Sequence, residues 1–575
     1  AWFFGSLDAS NFITIDKPPL ATMVMGLSVR LFGLSSWSIL LPEALMGVAS
    51  VAVLFLAVRR SFGTAAATIA GAVMALTPAA VLIFRYDNPD ALLTLLLVGA
   101  AWALLRALDA GRMRWLALAG TLVGLGFMTK FLQAWLVLPV LALVWVVAAP
   151  GGWRRRIAGL AVSAGAVAVA SLAWPVAVEL VPAASRPYIG GSTGNSVFDL
   201  ILGYDGLGRI LGGAGNGGGG GGGSGLGGGS GFGGATGILR MFNSEFGGQV
   251  AWLLPFALIA LAGGLVARFR AGRTDRRLVG YILWGGWLVV QVLVFSFMSG
   301  TIHSYYTVVL APAIGALVGA GTVELWRLRD RTPVAGLVLA AAFVVSGAWA
   351  WAILERTPAF VPGLGIAILA ITVAAALVVA VPATLLPAGR RRVATAAAAV
   401  ALVALLAGPA AYAAETMTAA HSGGTPAAGP SGSSGGQAGG PGGQARPDGG
   451  VAGVPGAGAG DGTAPAVGAA PAGGLVPTGG AGGGMGGTAD AALVAYLREQ
   501  AGSTSWIVAV SGSGTAADIQ LATGLPVMAM GGFNGSDAVP TLEQLQAYVA
   551  SGQLRYVLLG SGGGGGPSGS SATSD

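Results

Sequence analysis

The chain has 575 residues, 54% hydrophobic and only 9% charged, with a formal net charge of +7. Its mean hydropathy of +0.75 leaves too little polar surface for a soluble globule and places it in lipid. The arginines stand in short clusters between apolar runs rather than along one face, a mark of membrane topology that argues against a nucleic-acid partner, and with no cysteine in the chain, disulfides, thiolate zinc sites and cysteine nucleophiles are excluded.

The chain opens at Ala1 on AWFFGSLDASNFITIDKPPL, with neither signal peptide nor membrane span ahead of that segment, and the expectation is a chain truncated before its first span. Residues 18–33 are apolar but interrupted by Arg30, which suits a helix lying at the membrane interface. A crossing needs ~20 mostly apolar residues, and about twelve candidates satisfy it. They run roughly 38–58, 64–84, 90–107, 115–131, 132–149, 157–180, 250–267, 278–298, 305–325, 334–353, 363–385 and 393–413. Every second connection is arginine-rich (59–60, 106–114, 154–156, 268–277, 327–331 and 390–392), which marks the cytoplasmic side. The intervening connections, including 85–90, the Lys130 corner, 182–249 and 299–304, face outward, as does everything after Ala414. This predicts an all-α polytopic membrane protein.

Composition divides the chain further. Residues 1–414 form the transmembrane domain, with a nearly pure glycine tract at 212–234 inside one outer loop. Residues 415–488 read as a Gly/Pro/Ala-rich linker, 489–560 as a small extracytoplasmic α/β domain, and 561–575 as a disordered tail. In the α/β domain, helices at 489–500, 515–523 and 541–551 alternate with strands at 506–510, 526–530 and 555–559, which predicts a parallel sheet. Its GSGT turn at 512–515 could cradle an anion or be a plain strand-to-helix turn.

Candidate chemistry gathers at the predicted outer ends of the spans. Of 30 basic residues only Lys17 and Lys130 are lysines, and a compact ammonium at that boundary suits a phosphate, although a lysine near a span end can also snorkel to the headgroups. Asp16 and Lys17 precede Pro18 and Pro19, which fix the backbone where the interfacial segment begins. Arg85, Tyr86, Asp87 and Asp90 share one short hairpin; Asp90 could cap the following helix or, with Asp87, take part in charge development or metal coordination. His303 precedes Tyr305 and Tyr306; the tyrosines could be an aromatic belt, and the histidine could shuttle a proton or join a metal site. The sequence carries no Walker loop, HExxH motif or nucleophile elbow, so any reaction uses an activated substrate already in the membrane.

The stretches IDKPPL, LFGLSSWSILLPEALMG, RYDNPDALLTLL, GLGFMTKFLQAW, RPYIGGSTGNSVFDLILGYDGLGR, LRMFNSEFGGQ, HSYYTVVLAPAIGALVGAG and VAVSGSGTAADIQLATGLPVMAMGGFNGSD resemble bacterial members of glycosyltransferase family 39, the aminoarabinose transferases and protein O-mannosyltransferases, in the mannosyltransferase branch with a C-terminal extracytoplasmic domain. The resemblance implies a GT-C fold and transfer of a sugar, with inversion, from a polyprenyl-phosphate donor to an extracytoplasmic acceptor in the cell envelope. It also implies that Asp16 occupies an acidic position able to bind a divalent metal ion, that Lys17 is its adjacent lysine, that Asp90 is a further active-site carboxylate, and that His303 lies near a metal-ligand position. On this reading Asp16 or Asp8 takes the acceptor proton, with Asp87 and Asp90 as further catalytic candidates. Lys17, Lys130, Arg85 and Arg186 hold the departing phosphate, with Tyr86, Tyr305 and Tyr306 nearby. The family's other branches use an acidic residue in the loop after their first span, a region expected before Ala1. Two rivals remain: a polytopic transporter, whose ionisable residues should line the span centres, and an envelope-binding protein keeping a residual transferase fold.

Overall fold

The computed structural model describes residues 1–212, 233–381, 388–421, 424–431, 489–533 and 535–558. Most of the glycine tract, most of the expected linker and the whole tail lie outside the described residues. Among those described, nine segments are long and apolar enough to cross a membrane: Ser36–Phe62, Asp90–Ala110, Met113–Ala148, Trp153–Glu179, Gly247–Arg268, Arg276–Phe297, Ser304–Leu328, Pro333–Leu354 and Arg391–Thr418. Leu20–Phe32, Thr64–Leu76 and Leu364–Ala380 are shorter apolar helices.

One difference from the expected spans has a local cause. The run 64–84 is broken where Thr77 turns extended (φ −68°, ψ 121°) ahead of Pro78, dividing it into Thr64–Leu76 and Pro78–Ile83. Proline has no N–H to continue the helix ladder. The apolar stretch Met113–Ala148 is a hairpin, in keeping with the separate expected spans 115–131 and 132–149 and the corner at Lys130. Its first helix ends at Lys130, Phe131 takes φ +41°, and the chain folds back so that the Phe127 and Trp135 rings stack at 4.8 Å. A Cβ on Gly126 would lie 3.2 Å from that of Ala134, so the Lys130 corner is a true reversal.

Small residues let the helices approach closely, the packing mode available where lipid removes most of the hydrophobic drive between helices. A Cβ on Gly120 would meet Ser163 O at 2.4 Å, and one on Gly319 would meet Ala66 O at 2.1 Å. One end of the bundle collects the arginines: Arg60 and Arg276 both pair with Asp109, and Arg268 and Arg277 both pair with Glu324. Asp90 begins the helix that Asp109 nearly ends, and ~1.5 Å of rise per residue puts these carboxylates ~30 Å apart, at opposite ends of the bundle.

At the Asp90 end sits the C-terminal α/β region. Its three strands, β1 (Ala509–Ser511), β2 (Met528–Met530) and β3 (Val557–Leu558), form a parallel sheet in the order β2-β1-β3, with Val510 opposite Ala529 and Leu558. Helices Ala491–Glu499, Ser513–Thr523 and Leu542–Ala550 accompany it. The strands are shorter than their apolar runs: β1 and β2 pair only at the C-terminal ends of 506–510 and 526–530, and β3 only in the middle of 555–559. Gly512 N donates to Met530 O (2.9 Å) and Ser513 Oγ to Phe533 O (3.1 Å), so the GSGT turn spends donors on its own chain, as a plain strand-to-helix turn does.

Candidate active site

Several elements meet at the Asp90 end because of how each begins or stops. Pro19 stands at the N-cap of Leu20–Phe32, so Lys17 is held on a stiff segment just before that helix. Lys130 closes its own helix at the reversal. Residues Gly203–Leu207 form a wide π-type turn with Gly206 at φ −113°, ψ −110°. A Cβ on Gly206 would lie 2.1 Å from Ile201 O, so only glycine fits, and the turn brings Asp205 and Arg209 to the same place.

The result is a ladder of alternating charge. The Lys17 ammonium donates to Asp16 Oδ2 (3.0 Å) and to Asp205 Oδ1 and Oδ2 (2.9 and 3.1 Å). Arg209 Nε donates to the same Asp205 Oδ1 (2.8 Å), and its guanidinium reaches the Tyr306 hydroxyl (3.0 Å). Lys130 donates to Asp90 Oδ2 at 2.6 Å and lies 3.4 Å from the centroid of the Tyr306 ring. Lys17, Lys130, Asp205, Arg209 and Tyr306 line a small cavity, walled otherwise mainly by apolar side chains such as Leu132 and Phe295.

Electrostatics follow from this geometry. Burial alone would raise the Asp16 carboxyl, but the Lys17 charge and hydrogen bond, with Arg209 beyond, outweigh it and hold Asp16 below the usual carboxylate range. Burial would lower Lys17; Asp16 and Asp205 reverse that and keep the ammonium firmly charged. His303 stacks on Tyr305 (5.5 Å between centroids) and meets Tyr306 edge-on (5.2 Å). Burial, then the charges of Arg209, Lys130 and Lys17, push its imidazole down to about 3, so it is neutral at ordinary pH and poorly suited to shuttle protons.

Of the residues nominated from sequence, Asp16, Lys17, Asp90, Lys130, His303, Tyr305 and Tyr306 come together here. The Lys130 side chain is only 7% exposed and turned onto Asp90, which is not snorkelling. Asp90 makes no capping bond; Asn88 Oδ1 accepts from the Asp90 N–H instead (2.9 Å). Tyr305 and Tyr306 are buried against the cluster rather than spread as a belt. Arg85 and Asp87 are exposed and Tyr86 half-buried on their hairpin, and none of the three lines the cavity.

Two nominations are corrected. Asp8 has both oxygens engaged elsewhere, by Ser10 N (2.8 Å), Phe12 N (3.1 Å) and Trp506 Nε1 (3.0 Å), which is the work of a loop anchor and not of a free base. Arg186 is tied to Glu179 Oε1 (3.2 Å) and to the carbonyls of Val178 and Val181 (2.9 and 3.2 Å), bracing its own loop away from the cavity. Asp205 and Arg209 went unnominated. Their signal was an acid and a base four residues apart in YDGLGR, a run that entered only through the family resemblance and its place in an outer loop.

A divalent metal fits this donor set poorly. Asp16 is already bonded to an ammonium, His303 faces three cations, and among the described residues no three His, Asp or Glu side chains converge as a metal site.

Residues 16–177 match the family described as dolichyl-phosphate-mannose-protein mannosyltransferase, and residues 493–574 match "Putative mannosyltransferase YkcB-like, C-terminal". "Putative mannosyltransferase YkcB" of Bacillus subtilis (strain 168) is 31% identical over 98% of this chain and 84% of its own length. The chain belongs to this mannosyltransferase family. It is a glycosyltransferase of family 39, multi-pass in the membrane. "Putative mannosyltransferase YycA" of the same organism is 29% identical over 97% of this chain and 85% of its own. A crystal structure of ArnT from Cupriavidus metallidurans bound to undecaprenyl phosphate aligns with 70% of this chain and 68% of that one, at 21% identity and a TM-score of 0.43.

Proposed function

We propose that this mannosyltransferase takes its sugar from a polyprenyl-phosphate donor and passes it, with inversion, to a hydroxyl of an acceptor on the extracytoplasmic face of the membrane. The observation that carries the reading is the cavity edged by Lys17, Lys130 and Arg209 at the end of the bundle opposite the arginine pairs. The positive-inside rule makes the arginine-rich end cytoplasmic. It follows that the cavity and the α/β region docked near it face outward.

In the proposed step the acceptor oxygen attacks the anomeric carbon as the bond from that carbon to the phosphate oxygen breaks. Asp16, kept ionised by Lys17 at the edge of the cluster, receives the hydroxyl proton. Lys17 and Arg209 share Asp205, so either can turn one donor toward phosphate without losing every partner. Their charge-assisted bonds offset the charge that builds on the leaving group. The apolar walls beside them suit the first isoprene units. The donor is already activated, so the protein's contribution is position and charge.

The test uses the full chain in lipid with polyprenyl-phosphate mannose and measures released polyprenyl phosphate for wild type, Asp16→Asn and Lys17→Ala. Loss of turnover in both variants supports the site. Equal turnover in all three removes the assignment, and solute flux without sugar transfer would favour a transporter.

A further inference from the structure

The α/β region does not merely hang from the bundle; it shares a core with the segment that leads into Asp16. Phe12 and Ile13 belong to the same buried cluster as Trp506, Val508 and Met528. Ser10 Oγ donates to Ser505 O (2.7 Å), and Gln520 Nε2 donates to Leu7 O (3.0 Å). Residues 12–14 in turn pair with the 188–191 segment: Thr14 N donates to Tyr188 O (2.8 Å), Tyr188 N to Phe12 O (3.1 Å) and Gly190 N to Thr14 Oγ1 (3.0 Å).

Asp537 closes this junction. Both of its carboxylate oxygens lie 3.1 Å from Gly191 N. Gly191, at φ +76°, is packed so tightly on the site that a Cβ there would lie 3.3 Å from both Asp16 Cβ and Tyr204 Cδ1. Two consecutive glycines form a turn with many accessible conformations unless something fixes it. A carboxylate accepting from the backbone N–H is a strong way to do so. Burial raises the Asp537 carboxyl, the Gly191 bond opposes this, and the Asp16 charge adds to it, so the two carboxylates sense each other.

We propose that Asp537 is a positioning residue for the active site: by fixing the Gly190-Gly191 turn against Asp16, it makes the docked α/β region part of the apparatus that sets where Asp16 and Lys17 stand. The inference rests on the phosphate-binding reading of Lys17 given above. Asp537 touches none of the cations, so its effect passes through the turn.

The experiment places the full chain in lipid nanodiscs and measures undecaprenyl phosphate affinity, kcat and KM with polyprenyl-phosphate mannose, and the unfolding midpoint. Asp537→Ala should weaken affinity and turnover by about tenfold or more, as expected when reacting groups are displaced by a fraction of an ångström to an ångström. Asp537→Asn, which keeps one carbonyl oxygen for Gly191 N–H, should recover most of both. Asp537→Glu keeps the charge but pushes the turn by one methylene and should impair affinity in a folded protein, so it decides the matter if Asp537→Ala does not fold. Gln520→Ala, at another bond of the same junction, should leave affinity and turnover unchanged. Wild-type affinity and turnover in folded Asp537→Ala or Asp537→Glu, with Lys17→Ala impaired, overturns this inference and leaves the proposed function standing. Wild-type behaviour in Lys17→Ala as well overturns both.

Discussion

Lys130→Met removes an ammonium from a pair whose side chains are 7% and 0% exposed and 2.6 Å apart. Asp90 Oδ1 has no hydrogen-bond partner, so the variant strands a buried carboxylate whose other oxygen loses its donor too. Breaking a buried pair from one side costs ~3–5 kcal/mol. Combining Asp90→Asn with Lys130→Met removes the stranded charge, and the double variant should regain ~2–3 kcal/mol as a coupling energy. The methionine can lie on the Tyr306 ring that the lysine ammonium now covers, a favourable contact for a thioether. Unfolding midpoints of the four proteins in matched detergent give the cycle, and release of polyprenyl phosphate gives turnover. Stability and turnover should separate: the double variant regains stability but stays inactive, because the cavity has lost one of its cations. Strictly additive stability losses would refute the buried-pair argument, and restored turnover in the double variant would refute a phosphate role for Lys130.

Lys17→Ala should weaken undecaprenyl phosphate binding by about ten- to a hundredfold, the worth of one charge-assisted hydrogen bond, and Lys17→Arg should not rescue it, because a planar fork cannot replace a compact ammonium between Asp16 and Asp205; equal affinity for wild type and both variants, by titration in nanodiscs, sinks this. His303→Gln should leave the pH–rate profile unchanged in shape, since an imidazole held at about 3 is already deprotonated throughout the neutral range; loss of a limb near about pH 6.5, where an ordinary histidine titrates, would contradict it. Asp8→Asn should loosen the α/β region by ~1–3 kcal/mol through its weakened bonds to Trp506 and the 8–12 loop, seen as faster limited proteolysis of that region; unchanged protection would count against Asp8 as an anchor.

Apolar run length and arginine spacing made the membrane class and most helix positions legible, because a helix in lipid must satisfy its backbone internally and so shows its length in composition. What escaped were features set by single backbone angles. The break at Thr77-Pro78 lay inside an unbroken apolar run, and nothing in hydropathy weighs a missing N–H. Asp16, Lys17, Asp90 and Lys130 were conspicuous because charge at a span end is rare. Asp205 and Arg209 were not, since their partnership depends on a wide turn that only Gly206 permits. Asp8 misled for another reason: it is a carboxylate in the same outer segment as Asp16, while its partner Trp506 lies 498 positions away.

The cluster's charges bear on why its carboxylates accompany the cations at all. Lys17, Lys130 and Arg209 are matched by Asp16, Asp90 and Asp205, so the resting site is close to neutral. On the proposed chemistry, the donor phosphodiester brings about one negative charge and the released monoester carries about two near neutral pH. A site of cations alone would hold that product tightly and release it slowly. If a carboxylate of the cluster takes the acceptor proton, one negative charge disappears as the new one forms, and the total is unchanged across the step. The carboxylates then serve both as base and as the counterweight that lets the phosphate leave, which predicts that Asp205→Asn binds undecaprenyl phosphate more tightly than wild type while turning over more slowly. Tighter binding without slower turnover would show that product release does not depend on this balance.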